Sequence, residues 1–282
     1  MTFDIKDKSK ISWCPGCGNF PIRNALIKAL EEMNLEQKDV ALVSGIGQAA
    51  KMPHYLNTNF FNGLHGRAMA VAFGVKSTNP QLKVIVEGGD GDMYGEGGNH
   101  FIHNIRRNIN VAHLVHNNMV YGLTKGQASP TSQIGFETPL QVDGVILKPV
   151  NPIALALSSG ATFVARAFSS DMEQTKEIIK KAIAHNGYAL VDIFHPCVSF
   201  NKINTHKWYK ENSYYLNKEY DNSSLKNAFG KALERDRYPL GIIYQKDEGN
   251  SYTDISNVYI NDKEPLYSRK RTIKNVNKLI NS

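Results

Sequence analysis

From about residue 20 to about residue 200, apolar positions follow two alternating rhythms. Short, nearly continuous runs read as strands buried on both faces: Val40-Ala41-Leu42-Val43, Lys83-Val84-Ile85-Val86, Val111-Ala112-His113-Leu114-Val115, Thr162-Phe163-Val164-Ala165-Arg166 and Ala189-Leu190-Val191-Asp192-Ile193. Helical spacing fills the intervals. Pro21 suits the first turn of a helix whose Ile22, Ala25, Leu26, Ala29, Leu30 and Met33 fall three and four apart. Further helices are expected over about residues 65–76 and 97–108, from Asn151, and after the capping pattern Ser170-Asp171-Met172-Glu173. Repeated strand and helix units predict an α/β fold, a doubly wound and mainly parallel sheet covered on both faces.

Two stretches break the rhythm. Residues 118–152 carry few regular signals and many Gly, Ser, Thr and Pro, and a loop this long inside a compact domain is either functional or disordered. Beyond about residue 200 the pattern weakens to one expected strand, Leu240-Gly241-Ile242-Ile243-Tyr244. A basic end follows, with Lys263, Arg269, Lys270, Arg271, Lys274 and Lys278 against Glu264. The expected division is therefore residues 1–200, an α/β domain opening on a Cys-x-x-Cys segment, and residues 201–282, an extension. That extension either packs on a partner subunit or forms a partly disordered tail.

Composition narrows the class. With 282 residues, 41% of them hydrophobic and 21% charged, the chain has the balance of a globular protein with an ample core. It holds no apolar run of 18 residues, and its polar start lacks the apolar centre of a secretory signal; a soluble cytoplasmic protein, not a membrane protein, is expected. The net charge is +7, and residues 200–282 hold 15 Lys and Arg against 10 Asp and Glu. That excess is spread out, without a tight basic block and interleaved aromatics, which argues against nucleic acid. An acidic partner protein and a merely solvated surface are the two readings left.

Candidate chemistry gathers just past the strands. Gly88-Gly89-Asp90-Gly91-Asp92 follows one strand, and Asn117-Asn118, the first of them 25 residues beyond Asp92, follows another. In an open α/β sheet the carboxyl ends of the strands form the ligand edge. A diphosphate bridged by Mg²⁺ asks for few, hard oxygen donors, which Asp90 and Asn118 supply, and for glycines that let backbone amides approach. This is the pattern of a thiamine diphosphate site. Three cysteines are too few for a disulfide framework, and Cys14 with Cys17 suggests metal or redox chemistry. A dithiol pair, or a zinc site using His195 near Cys197, are the competing readings.

Several segments together closely resemble one family. They are Trp13-Cys14-Pro15-Gly16-Cys17-Gly18, Ser44-Gly45-Ile46-Gly47, Leu64-His65-Gly66-Arg67-Ala68, Gly89-Asp90-Gly91-Asp92 and the run from Tyr121-Gly122-Leu123-Thr124-Lys125 to Ser132. In order, over roughly residues 10–245, they resemble the beta subunit of 2-oxoacid:ferredoxin oxidoreductases, especially the two-subunit archaeal type that includes 2-oxoglutarate enzymes. The resemblance implies the thiamine diphosphate-binding fold and a heterodimer, or a dimer of heterodimers, with an alpha subunit. Such an enzyme oxidatively decarboxylates a 2-oxoacid with coenzyme A and passes electrons through an iron–sulfur cluster to ferredoxin. It further implies that Asp90, Asn118 and the Val120 carbonyl hold Mg²⁺. Gly45, Ile46, Gly47, His65, Gly89, Gly91, Asp92, Tyr121, Gly122, Leu123 and Thr124 would line the cofactor. Lys51 and Leu123 match substrate-pocket positions, and Lys125 lies near them as a second candidate cation. The carboxylate that activates the cofactor belongs to the alpha subunit, so the chain alone should be inactive.

One position departs from that pattern. The family's 4Fe–4S cluster uses four cysteines; Cys14, Cys17 and Cys197 match, but Gln48 stands where the fourth is expected. The outcomes are a cubane whose fourth iron takes another ligand, a three-iron cluster, or no cluster; a cluster is the favoured reading. Two rivals to the whole assignment are a self-contained thiamine diphosphate decarboxylase, for which the chain is short, and an electron-transfer or interaction subunit without turnover.

Overall fold

A computed structural model describes residues 2–234, 236–246, 251–270 and 272–281; Arg271 of the basic end lies outside the described residues. Strands β1 (Val40–Ser44), β3 (Lys83–Gly89), β4 (Val111–Asn117), β5 (Phe163–Phe168) and β6 (Tyr188–Phe194) form the parallel centre of one sheet. Its order is β2-β1-β3-β4-β6-β5-β8-β7, with β2 (Asn59–Asn62) at one edge. At the other, β8 (Tyr238–Gln245) runs antiparallel to β5 and carries β7 (Ser213–Tyr215) beside it. The expected α/β, doubly covered, mainly parallel sheet is the fold observed.

Why both faces are covered follows from the two-residue strand period. Val40, Leu42, Ile85, Leu114, Val191 and Ile193 point into one apolar cluster with helices α1 (Asn19–Glu32) and α5 (Met172–Ala184). Val43, Val84, Val86, Val111, Val115 and Leu190 point the other way, into a cluster covered by α2 (Ala68–Thr78), α3 (Gly98–Arg106), α4 (Pro152–Ser158) and α6 (Leu225–Ala232). In α1 the apolar spacing works as read: Ile22, Ala25, Leu26, Ala29 and Leu30 are all fully buried. The helix stops at Asn34, which takes a left-handed φ of 53° while the amide of Leu35 reaches back to Leu30 O.

Three boundaries differ from the sequence reading. Helix α5 is capped by Asp171, whose carboxylate accepts from the Gln174 amide at 3.0 Å, rather than by Ser170 with Glu173. Helix α2 starts at Ala68, not near His65, because Gly66 is bent out with φ 70° and its amide is bonded to Asp92. A π-helical turn, Gly91–Glu96, precedes α3 where a simple loop into a helix was expected. Beyond residue 200 the chain still builds sheet, through β7 and β8. After β8, part of the extension packs on its own chain: Tyr259 is buried and donates to Ser77 O at 2.6 Å, at the end of α2.

Candidate cofactor site

The carboxyl ends of β1, β3, β4 and β6 share one edge because these strands are parallel, and they surround a cavity of about 350 Å³. That volume lies within the range of small-ligand pockets. The wall brings together Ile46, Gly47, His65, Gly89, Asp90, Gly91, Asp92, Asn118, Val120, Tyr121, Gly122, Leu123, Thr124, Cys14, Cys17 and Cys197. Three expected residues stand off it. Gly45 lies just behind, Lys51 is half-buried in the turn past Ala49, and Lys125 is exposed with φ 72°.

Asp90 is buried, and one of its oxygens, Oδ2, accepts from Ser129 Oγ at 2.5 Å and Thr131 Oγ1 at 2.6 Å. Burial pushes its carboxyl up to about 6, against the pull of those hydroxyls. The same Thr131 hydroxyl lies 3.0 Å from Asn117 Oδ1, and Asn117 Nδ2 donates to Asp192 Oδ1 at 3.0 Å. Asp192 in turn accepts from Arg166 Nε at 3.0 Å. A buried polar chain therefore runs across β5, β6 and β4 to Asp90, the candidate metal ligand just past the end of β3.

The turn after β4 is shaped by its asparagines. Met119 takes φ 58°, an unusual conformation for a side chain of that size, held on both sides. Asn117 Oδ1 accepts from the Met119 amide, Asn118 Oδ1 accepts from the Val120 amide at 3.2 Å, and Ser132 Oγ donates to Met119 O at 2.7 Å. Asn201 Nδ2 donates to Asn118 O at 3.1 Å, tying in the segment after β6.

Close approach explains two glycines. A Cβ on Gly91 would lie 2.1 Å from Tyr121 Cε1, and one on Gly45 would lie 2.2 Å from Asp92 Oδ2. Asp92 Oδ1 accepts from the Gly66 amide at 2.6 Å, whereas its buried Oδ2 has no hydrogen-bond partner; burial pushes this carboxyl up as well. His65 lies between two acids, its Nε2 3.7 Å from Asp92 Oδ1 and its Nδ1 3.4 Å from Glu96 Oε2. Tyr121 OH reaches Gly91 O at 3.1 Å and Glu96 at 3.0 Å.

Sequence reasoning missed several wall residues: Trp13, Asn19, Glu96, His116, Gln127 and Phe200 among them. His116 sits inside a strand run and gives no local signal. Its Nε2 lies 2.6 Å from Glu87 Oε2 and its Nδ1 2.8 Å from Asn19 Oδ1, all three buried. Burial raises the Glu87 carboxyl and lowers His116 to about 3, so the pair is neutral, Glu87 donating to the ring and the ring donating to Asn19.

Beside these oxygens stand the thiols. Trp13, edge-on to Phe20 and Tyr55, donates from Nε1 to Gln48 O at 2.7 Å and so holds the Cys14–Cys17 turn against the loop after β1. Among the described residues no three His, Cys, Asp or Glu side chains are gathered closely enough to hold a metal ion as they stand. The donor chemistry nonetheless fits both groups. Asp90, Asn118 and Val120 present hard oxygens to the cavity, the unpartnered Asp92 oxygen sits beside the glycine cradle, and three soft sulfurs occupy one wall.

Comparisons agree with this geometry. The family model for the thiamine pyrophosphate enzyme C-terminal TPP binding domain matches residues 41–193, and that for the C-terminal part of the pyruvate ferredoxin oxidoreductase beta subunit matches residues 197–261. A 2-oxoacid:ferredoxin oxidoreductase subunit beta from Sulfolobus sp is 47% identical over 256 residues, 86% of this chain and 84% of that protein. The 2-oxoglutarate synthase subunit KorB of Methanocaldococcus jannaschii is 38% identical over 226 residues, 77% of this chain and 84% of its own. A solved structure, the 2-oxoglutarate:ferredoxin oxidoreductase from Magnetococcus marinus with 2-oxoglutarate, coenzyme A and succinyl-CoA bound, superposes with a TM-score of 0.91 at 34% identity, covering 99% of this chain and 94% of that one.

Proposed function

The chain belongs to the beta subunits of 2-oxoacid:ferredoxin oxidoreductases, and on that premise we propose that its cavity holds thiamine diphosphate through Mg²⁺, beside an iron–sulfur cluster. The observation that supports this most strongly is the meeting of Asp90, Asn118 and Val120 with the glycine loops at one cavity on the carboxyl edge of the sheet. Asp90 would give the metal the oxygen not engaged by Ser129 and Thr131, with the Asn118 amide and the Val120 carbonyl completing the protein's share. Gly45, Ile46, Gly47, Gly89, Gly91, Asp92 and the Tyr121-Gly122-Leu123-Thr124 turn would shape the cradle. The bound cofactor supplies the electron sink for loss of CO₂ from a 2-oxoacid.

This chain's residues supply position and charge. His65 lines the cavity with its two ring nitrogens facing Asp92 and Glu96, and would donate to a ligand oxygen by turning one of them toward it. Leu123 presents an apolar surface to the substrate's side chain. No Lys or Arg stands among the described wall residues, so a second substrate carboxylate would be met by Lys51 turning inward, with Lys125 or the alpha subunit as other sources. Cys14, Cys17 and Cys197 would hold the cluster that takes electrons on toward ferredoxin, with coenzyme A receiving the acyl group. A cytoplasmic site suits these reactants, and no helix among the described residues is long and apolar enough to cross a membrane. We assign partner packing to the end of the extension, where Ile273, Val276 and Ile280 of α7 (Ile273–Ile280) are exposed beside Lys274 and Lys278.

Reconstitution tests the proposal. Chain plus alpha subunit, given a 2-oxoacid, coenzyme A and oxidised ferredoxin, should reduce ferredoxin, and neither subunit alone should. Turnover by this chain alone would point to a self-contained decarboxylase, and none with its partner to a subunit without turnover.

A further inference from the structure

Three cysteines are all the chain has, and all three line the cavity, so any cluster it holds has at most three thiolates of its own. Gln48 shares that wall. The Trp13 bond to its backbone oxygen fixes it against the Cys14–Cys17 turn, and its side-chain Oε1 is buried without a hydrogen-bond partner. An orphaned buried amide oxygen carries an uncompensated loss of hydration, which a ligand at that atom would relieve. His195, whose ring nitrogens also lack partners, is packed against Gly18 and His116 and is not on the wall.

Resting on the cluster reading above, we propose that Cys14, Cys17, Cys197 and Gln48 form a three-thiolate, one-amide seat whose fourth iron, at the Gln48 corner, is exchangeable. Cluster iron favours soft thiolate, and an amide oxygen is a weak, hard substitute, so this iron leaves first. The step is balanced: a (4Fe–4S)²⁺ cluster gives one electron to an added oxidant and releases one Fe²⁺, leaving (3Fe–4S)⁺ with all four sulfides. No proton moves. Fe²⁺ and an added reductant reverse it.

The test uses the complex with the alpha subunit, purified anaerobically and titrated with ferricyanide while iron, sulfide and the EPR spectrum are followed. One iron in four should be lost as the near-isotropic signal of an oxidised three-iron cluster appears. Isotopically labelled Fe²⁺ with dithionite should then restore the four-iron spectrum, its label confined to one site by Mössbauer spectroscopy. Gln48→Cys should make the three-iron signal at least about tenfold weaker under the same oxidation. If that variant fails to assemble, label exchange in the unaltered complex decides. Retention of all four irons with no such signal overturns the proposal. A complex without iron or sulfide overturns the cluster reading itself, a result distinct from an intact cluster that resists oxidation.

Discussion

Replacing Thr131 by valine probes how firmly the sheet holds Asp90, the carboxylate proposed to face the metal. Valine keeps the shape of threonine but removes the hydroxyl that lies 2.6 Å from Asp90 Oδ2 and 3.0 Å from Asn117 Oδ1. One hydroxyl proton serves one acceptor, and the shorter contact, to the carboxylate, takes it. A buried hydrogen bond to a charged group contributes about 1.5–3 kcal/mol. The extra methyl returns about 0.8 kcal/mol, for a net loss of about 1–2 kcal/mol. For a chain of this size that lowers Tm by roughly 2–8 °C. Thermal unfolding near pH 8, about two units above the Asp90 carboxyl, should show the drop without added Mg²⁺ or thiamine diphosphate. Thr131→Ser should stay close to the parent. A valine variant melting within about 1 °C of the parent would refute the idea that this hydroxyl carries Asp90.

Three other outcomes rest on the same physical reasoning. Lys76 is buried and donates to Pro80 O and Leu82 O, and burial lowers its ammonium from 10.5 to about 8. Between those values the unfolded chain holds the proton and the folded chain does not, so stability rises with pH. Relative to Lys76→Met, denaturant unfolding should show the parent gaining roughly 3 kcal/mol from pH 8 to 10.5, and parallel curves would contradict it. Gly91→Ala drives a methyl into the Tyr121 ring and should weaken thiamine diphosphate binding by calorimetry at least about tenfold; undiminished affinity would show that the ring yields freely. Arg166→Met leaves Asp192 buried without its cation and should cost about 3–5 kcal/mol in chemical denaturation. Arg166→Met with Asp192→Asn should recover part of that loss, and a double variant no better than the single would show that charge is not the cause.

What the sequence made legible was whatever repeats locally. The buried runs at residues 40–43, 83–86, 111–115, 162–166 and 189–193 became the central strands because full burial leaves a composition that loops do not share. The edge strand β2 was not legible: Asn59-Phe60-Phe61-Asn62 is exposed throughout and is paired only because β1 lies beside it. Strand β7, three residues long with only Ser213 buried, is too short to show a period. At the site, residues carried by short motifs, such as Asp90 and Asn118, stood out. Those contributed by regular elements did not. His116 and Glu87 look like interruptions of strands, and only the register that sets Gly89 beside His116 explains their burial under the cavity. Lys51 shows the converse, since its sequence position beside the glycine loop left open whether its side chain reaches the wall.

Calorimetry of thiamine diphosphate binding to the assembled complex, with and without Mg²⁺, tests the central claim most directly. The account predicts tight binding only with the metal, and its loss in Asp90→Asn, a variant of nearly equal volume that still unfolds cooperatively. Equal affinity in parent and variant, or binding indifferent to Mg²⁺, would contradict it.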